Sequence, residues 1–272
     1  MPVGESWFEQ AFGAHYPLLY RHRDAAEARQ CLELLPRLAP LAMGQGGMIL
    51  DLGCGDGRHL ELLEDLGYSS VGLDLSPELL HAARDRIGVG SRLRLVRGDM
   101  RRLPFPDDYF SSVLSLFTAF GYFGPPAANQ DPVREVGRVL VPGGHWFLDY
   151  FDCDAVRSEL GGGETIVRER ELGPMTVREE RRYVAKNSLV EKKVRLAPRD
   201  GLKAEAAALG VDRGGLEYTE QVAVFTLREL DDMAAKENMT RVAGAGGYEG
   251  EALGDGNRWL LVFRKNTGND PE

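Results

Sequence analysis

The sequence predicts an α/β domain, with a mostly parallel seven-stranded sheet, helices on both faces, and an inserted antiparallel β cap. Three patterns carry this expectation. From Met48, short apolar strands alternate with amphipathic helices, as right-handed βαβ units require. After Phe151, polar and apolar residues alternate one by one, as in antiparallel strands with one wet face. From Thr226 a helix and two further strands resume the first pattern and close the sheet. The 272 residues, 43% of them hydrophobic, suffice for one large domain with an appendage.

Residues 1–45 form N-terminal helices. Within them, Ala25 to Leu38 gathers Ala28, Cys31, Leu32, Leu34, Leu35 and Leu38 mostly on one face, and Pro36 and Pro40 end or bend the run. Residues 46–154 and 226–265 form the parallel-sheet domain. Its first half places strands at 48–52, 70–74, 93–97, 110–116 and 144–150, with helices at 58–66, 77–87 and 131–139. Residues 155–225 form the insertion, with strands Glu164–Arg170, Met175–Val184, Leu189–Leu196 and Leu216–Phe225. Gly173-Pro174 and Lys186-Asn187 make turns. Pro198 to Gly215 has no clear period and reads as a mobile excursion. Thr226–Asn238 is a helix capped by Thr226, with Glu229 in capping-box position. Strands at Thr240–Ala243 and Trp259–Arg264 follow, and 266–272 is a tail.

Charge and cysteine usage narrow the class. With 33 basic and 42 acidic residues the net charge is −9, which disfavours a nucleic-acid partner. Cys31, Cys54 and Cys153 stand far apart with no CxxC pair and no metal spacing, which predicts a reduced intracellular protein without a metal site. Met1 to Trp7 shows no basic n-region or apolar h-region, and no apolar run reaches the roughly 20 residues of a membrane span. A cytoplasmic protein is the expectation.

The run Ile49-Leu50-Asp51-Leu52-Gly53-Cys54-Gly55-Asp56-Gly57-Arg58 is an apolar strand ending in an acid, then three alternate glycines, then an amphipathic helix. Strand, glycine turn and helix in that order build a nucleotide-type site at the carboxyl end of a parallel sheet. The leading Asp51 suits a ligand with a cationic group better than a pyrophosphate. Asp74 ends the second strand about twenty residues on, where an acid binds the ribose hydroxyls of an adenosine. Asp99 tips the third strand, placed to accept from an adenine amine, with Met100 to pack on the ring. Each acid also has a plainer reading, as the cap of the helix that follows. Phe110 to Phe123 follows, and Arg138-Val139-Leu140, a helix end, with Pro142-Gly143-Gly144, a turn into the next strand, completes the series.

In this order and spacing, the residues resemble the class I S-adenosylmethionine-dependent methyltransferases, which implies a Rossmann-like sheet. Asp51 to Gly57 looks like their first motif, Asp74 like the ribose-binding acid, and Gly98-Asp99-Met100 like the adenine-binding motif. Phe117 to Phe123, with Tyr16 and Tyr20, looks most like the branch acting on small molecules. The resemblance implies S-adenosylmethionine as cofactor, S-adenosylhomocysteine as product, and a small-molecule acceptor methylated at N or O. The implied cofactor-binding residues are Tyr16, Tyr20, Asp51, Gly53, Cys54, Gly55, Asp74, Leu75, Asp99, Met100, Leu116 and Phe117. Backbone N–H groups around Gly53 and Gly55 are expected to meet its amino-acid portion. The N-terminal helices and the insertion fall on the acceptor side.

If the acceptor loses a proton, Tyr20, His22 and His145 are the candidate bases, and His15 is a further histidine beside the N-terminal aromatics. His59 reads as a helix-start residue, and Cys54 as a small buried one. The charges of the insertion, Arg168 to Arg195 interleaved with glutamates, read as a solvated sheet face with cross-strand ion pairs. That sheet covers the acceptor or pairs with a second subunit in a homodimer. Two departures stand out. Phe110-Ser111 replaces the Phe-Asp that many members carry, and no Pro-Pro-aromatic motif follows strand four, which disfavours base methylation. Rival readings are a non-enzymatic sensor or assembly factor, a nicotinamide oxidoreductase, and an RNA or protein methyltransferase.

Overall fold

The computed structural model describes residues 7, 11–20, 25–41, 47–88 and 93–268. In chain order the first five strands are β1 (Met48–Leu52), β2 (Ser69–Asp74), β3 (Arg94–Arg97), β4 (Phe110–Ser115) and β5 (Leu140–Phe151). The next four are β6 (Ile166–Leu172), β7 (Met175–Val184), β8 (Leu189–Pro198) and β9 (Leu216–Ala223). Then come β10 (Met239–Ala245) and β11 (Arg258–Lys265). The described helices begin with α1 (Tyr16–Leu19), α2 (Ala25–Leu38), α3 (Arg58–Asp65) and α4 (Pro77–Ile87). The others are α5 (Gln130–Val139), α6 (Cys153–Leu160), α7 (Lys203–Ala208) and α8 (Leu227–Ala235).

Seven strands form one sheet in the order β10-β11-β5-β4-β1-β2-β3, and β6 to β9 form a separate four-stranded sheet. Strands β1 to β5 pair in parallel, while β11 runs antiparallel to both β5 and β10. The chain order reverses beside β1, whose neighbours are β2 and β4, and ligands lie at such a switch point, outside the carboxyl ends of the strands. Both faces of this sheet are covered. Leu50, Val71, Val113, Trp146 and Leu148 enter one apolar core, while Ile49, Leu114, Phe147 and Val262 meet Cys31, Leu32 and Leu35 of α2 in the other. Double burial explains why the central strands are nearly continuous apolar runs.

Two expectations change. Pro142-Gly143-Gly144 is no turn between helix and strand: β5 starts at Leu140, directly after α5, and its pairing with β4 shifts between Phe110 and Ser112. Gly143 has φ +81°, and a Cβ on Gly144 would stand 2.9 Å from the Val141 carbonyl, so the glycines accommodate an irregularity within the strand. Nor is 198–215 a loose excursion. Its alanines form α7, and Ala206 and Val211 are wholly buried against Met175, Val177, Val194 and Leu196 of the cap. The capping box forms as read: the Thr226 hydroxyl accepts from the Glu229 N–H, and Glu229 accepts from the Thr226 N–H. Ser111, in place of the acid common in the family, donates to the Met48 carbonyl at 3.1 Å and ties β4 to β1.

Candidate functional site

Between β1 and α3 the chain turns on Gly53, Gly55 and Gly57, with φ of +82°, +56° and +78°. A Cβ on Gly53 would lie 2.7 Å from the Ala119 Cβ, whereas one on Gly55 would meet nothing within 4 Å. Both alanine variants carry the left-handed backbone cost of about 1–2 kcal/mol. Only Gly53→Ala adds a clash with a side chain that has no flexible end. Urea unfolding is therefore expected to show Gly53→Ala clearly less stable than Gly55→Ala; equal losses would contradict this account of the turn.

The loop's N–H groups do not face a ligand as the sequence suggests. Gly53 and Cys54 both donate to the Leu73 carbonyl, at 2.8 and 3.0 Å, and Gly55 donates to Asp74 Oδ2 at 2.9 Å. Those donors knit the loop to β2, leaving bare glycine surface for close approach. Asp74 Oδ1 accepts from the Ser76 N–H at 2.9 Å, and Ser76 caps α4 through the Leu79 N–H. Burial raises the Asp74 carboxyl above its usual range, and these N–H groups offset part of that rise. Each oxygen keeps a lone pair, so the capping role leaves this acid able to accept further hydrogen bonds.

Asp51 is 1% exposed, and its Oδ2 has no hydrogen-bond partner among the described residues. Such an oxygen is costly unless a donor reaches it. Burial and then the Asp74 carboxylate push its carboxyl up to about 7, with Arg58 pulling it down. Asp99 differs, because Arg101 grips both its oxygens at 2.6–3.1 Å. Burial works to raise the Asp99 carboxyl, but Arg101 outweighs it and holds it below the ordinary range. Cys54 is buried, and burial, followed by the Asp51 and Asp74 charges, keeps its thiol protonated.

These strand tips enclose a cavity of about 660 Å³. Gly53, Cys54 and Gly55 line it after β1, Asp74 and Leu75 at β2, Asp99 and Met100 after β3, and Leu116 and Phe117 after β4. Tyr16 and Tyr20 of the N-terminal region close it. Of the expected cofactor residues, Asp51 alone is off this lining, behind the loop. Sequence reading missed Phe12 and Arg58, which also border the cavity. The Arg58 guanidinium lies 3.8 Å from the centre of the Phe117 ring. His59 lines the cavity from the first turn of α3, and burial and then Arg58 depress its basicity so that it is neutral.

Phe117 and Thr118 are consecutive non-glycine residues at φ +55° and +62°, a strained pair. Asp149 holds them: its Oδ2 accepts from the Phe117 N–H at 2.8 Å and its carbonyl from the Thr118 N–H at 3.1 Å. The Tyr248 hydroxyl donates to the same Oδ2 at 2.6 Å, and Arg258 Nε donates to Oδ1 at 2.8 Å.

A second cavity of about 490 Å³ shares Tyr16, Tyr20, Phe117 and Tyr122 with the first. Its far wall is the cap sheet. Residues of one parity on β6 to β9 face inward: Val177, Val194, Leu196 and Tyr218 form an apolar core at one end, while Val190 and Val222 are apolar at the other. Between them lies a charged band, with Arg168 and Arg170 from β6, Glu179 and Arg181 from β7, Lys192 from β8 and Glu220 from β9. The solvated-face reading holds for the opposite parity, where Glu217 pairs with Lys193 and Arg195 at 2.8 and 2.7 Å. It fails for Glu179, Lys192 and Glu220 of the inward band, whose side chains are 15%, 17% and 11% exposed.

Of the candidate bases, Tyr20 is on the wall of both cavities. His145 borders neither, because it lies six residues before the carboxyl end of β5, roughly 20 Å at 3.3 Å per residue. His22 lies outside the described residues. His15 is buried against Tyr218 in the cap core.

Comparison with known proteins agrees with this geometry. Residues 49–144 match the family model described as a methyltransferase domain. The chain is 32% identical over 167 residues to dTDP-3-amino-3,4,6-trideoxy-alpha-D-glucopyranose N,N-dimethyltransferase of Streptomyces venezuelae, covering 56% of this chain and 66% of the relative. It therefore spans just under two thirds of that relative's length. Among solved structures, the CcbJ methyltransferase of Streptomyces caelestis aligns with a TM-score of 0.73 at 18% identity, over 95% of this chain and 99% of the other. The S-adenosylmethionine-bound amino pentose methyltransferase CalS10 of Micromonospora echinaspora aligns at 0.58 and 23% identity, over 92% and 96%. No helix among the described residues is long and apolar enough to cross a membrane. Residues 49–144 are thus similar to a methyltransferase domain, and the chain as a whole has the fold of S-adenosylmethionine-dependent methyltransferases of known structure.

Proposed function

We propose that the chain binds S-adenosylmethionine in the 660 Å³ cavity and moves its methyl group to N or O of a small molecule held in the adjoining 490 Å³ cavity. The observation that carries this reading is the shared aromatic wall, since a two-substrate transfer needs donor and acceptor sites that meet. The residues present suit the cofactor. Asp51, with its unpartnered buried oxygen, offsets the ammonium; Asp74 accepts from the ribose hydroxyls; Met100 packs on adenine beside the Asp99–Arg101 pair. When bound, the cofactor supplies a methyl already activated on a sulfonium. What remains for the protein is positioning and exclusion of water. Ring faces of Tyr16, Tyr20 and Phe117 favour cationic groups by roughly 0.5–2 kcal/mol each. The amino-sugar methyltransferases among the relatives support an acceptor of small-molecule size.

Two assays test this. Calorimetric titration with S-adenosylhomocysteine is expected to show binding, and its absence would sink the cofactor reading. Mass spectrometry with trideuteromethyl-labelled donor is then run on a panel of dTDP-amino sugars, free amino sugars, small hydroxy acids and bulk tRNA. Label on a small molecule supports the reading; label on tRNA alone overturns it.

Asp51 makes affinity depend on pH. Its carboxyl titrates near 7 without ligand, and the ligand ammonium favours the ionised form. S-adenosylhomocysteine is expected to bind more tightly as pH rises from 6 to 8, by up to tenfold per unit below about 7 and levelling above it. Binding below pH 7 should release a proton, visible as a buffer-dependent enthalpy. Asp51→Asn should flatten the profile, and a wild-type affinity constant across that range would contradict the assignment.

A further inference from the structure

Within the inward charged band, Lys192 sits at the centre of a buried cluster. Its Nζ donates to Tyr20 Oη at 2.7 Å and lies 3.1 Å from Glu179 Oε1 and 3.5 Å from Glu220 Oε2. The Tyr20 oxygen thus accepts from an ammonium, and the hydroxyl donates to Glu220 Oε1 at 3.4 Å. The two glutamates differ. Glu179 is closely held, by Arg170 on one oxygen and Lys192 on the other. Glu220 has only the two long contacts among the described residues, although its side chain is 11% exposed on the cavity wall. A carboxylate kept merely for support is expected to be fully paired when buried, as Glu179 is. Glu220 retains acceptor capacity beside the tyrosine that borders both cavities.

We propose that Glu220 receives the acceptor's proton through the Tyr20 hydroxyl during methyl transfer, an assignment that rests on the methyltransferase reading above. The lone pair of the acceptor N or O forms the bond to the methyl carbon. The carbon–sulfur bond breaks and its electron pair stays on sulfur, which becomes the neutral thioether. The acceptor's proton passes to Tyr20 Oη as the Tyr20 proton passes to Glu220 Oε1, so the tyrosine ends neutral and the glutamate protonated. Lys192 orients the phenol by occupying one oxygen lone pair and keeps the carboxylate's charge balanced. The groups facing Glu220 are Tyr20 from the end of α1, Arg170 from β6, Glu179 and Arg181 from β7, Lys192 from β8 and Tyr218 on its own strand, with Arg258 across the cavity.

The test uses the full chain and the panel compound that the wild type methylates, beginning with dTDP-3-amino-3,4,6-trideoxyglucose. Glu220→Gln keeps the side chain's shape and removes its charge. It is expected to lower kcat by about 100-fold or more, with KM for S-adenosylmethionine and calorimetric affinity for S-adenosylhomocysteine within about twofold of wild type. The wild-type rate should fall in acid. The variant should lose that limb and rise steadily with pH as the acceptor deprotonates by itself. Tyr20→Phe, which removes one hydroxyl, should show the same loss and profile, and the double variant should be no slower than the slower single one. Tyr20→Phe also decides the matter if Glu220→Gln fails to fold. A Glu220→Gln or Tyr20→Phe enzyme turning over within threefold of wild type, with the wild-type pH profile, overturns the relay and leaves the methyltransferase reading intact. A wild type that binds S-adenosylhomocysteine yet labels no small molecule overturns both.

Discussion

Asp149→Ala is expected to cost about 3–5 kcal/mol of folding stability, read as a fall in the urea midpoint at unchanged slope. Asp149 is wholly buried, and its carboxylate gathers the Arg258 guanidinium, the Phe117 N–H and the Tyr248 hydroxyl. The Arg258 side chain is 22% exposed, so deleting its partner leaves a largely buried cation without its ion pair. The same deletion frees the strained Phe117-Thr118 pair to relax out of its left-handed conformation. Loss of the cofactor cavity's aromatic wall should therefore accompany the loss of stability. Asp149→Asn, which keeps an acceptor but no charge, is expected to fall between. A loss under about 1 kcal/mol for the alanine variant would mean that Arg258 finds another partner.

The second large effect concerns binding. Asp74→Ala is expected to weaken S-adenosylhomocysteine by roughly 100-fold or more, because hydrogen bonds to a charged group contribute about 1.5–3 kcal/mol each and 1.4 kcal/mol is a factor of ten. Two ribose hydroxyls are at stake. The variant also loses the links to Gly55 and Ser76, so its melting temperature must be measured alongside. Asp74→Asn separates the contributions, since it retains an acceptor toward the loop. Wild-type affinity in a folded Asp74→Ala protein would remove this acid from the ligand site.

The lining of the larger cavity was legible because its residues lie in local strings. Asp51 to Gly57, Asp74 and Asp99-Met100 each sit where a strand ends, and a parallel sheet brings all its carboxyl ends to one edge. Local strings do not reveal how the atoms are used. Nothing near Gly53 shows that its N–H is taken by Leu73, nor that Arg101 grips Asp99. On the cap, the charge pattern groups Lys192 with Lys193 and Arg195 as solvated, although it shares parity with the buried Val190, Val194 and Leu196. A charge in phase with apolar neighbours along a strand is the signal that reading lacked. His145 misled for the opposite reason. It lies in the middle of a strand whose carboxyl end points at the site, and residue type alone says nothing of position along β5.

The Asp149 junction also orders events at the ribosome. The glycine loop and its strand-tip acids are complete by Met100, yet the backbone that walls their cavity is fixed by Tyr248 and Arg258, made only after the whole four-stranded sheet. Until β11 emerges and slides in beside β5, Asp149 is a carboxylate at a strand centre with no arginine to meet it. The nascent chain can therefore carry every residue of the donor motif and still have no formed donor site. Competence arrives late, with the antiparallel strand that closes the sheet, so the cofactor has a docking place only once the domain is whole.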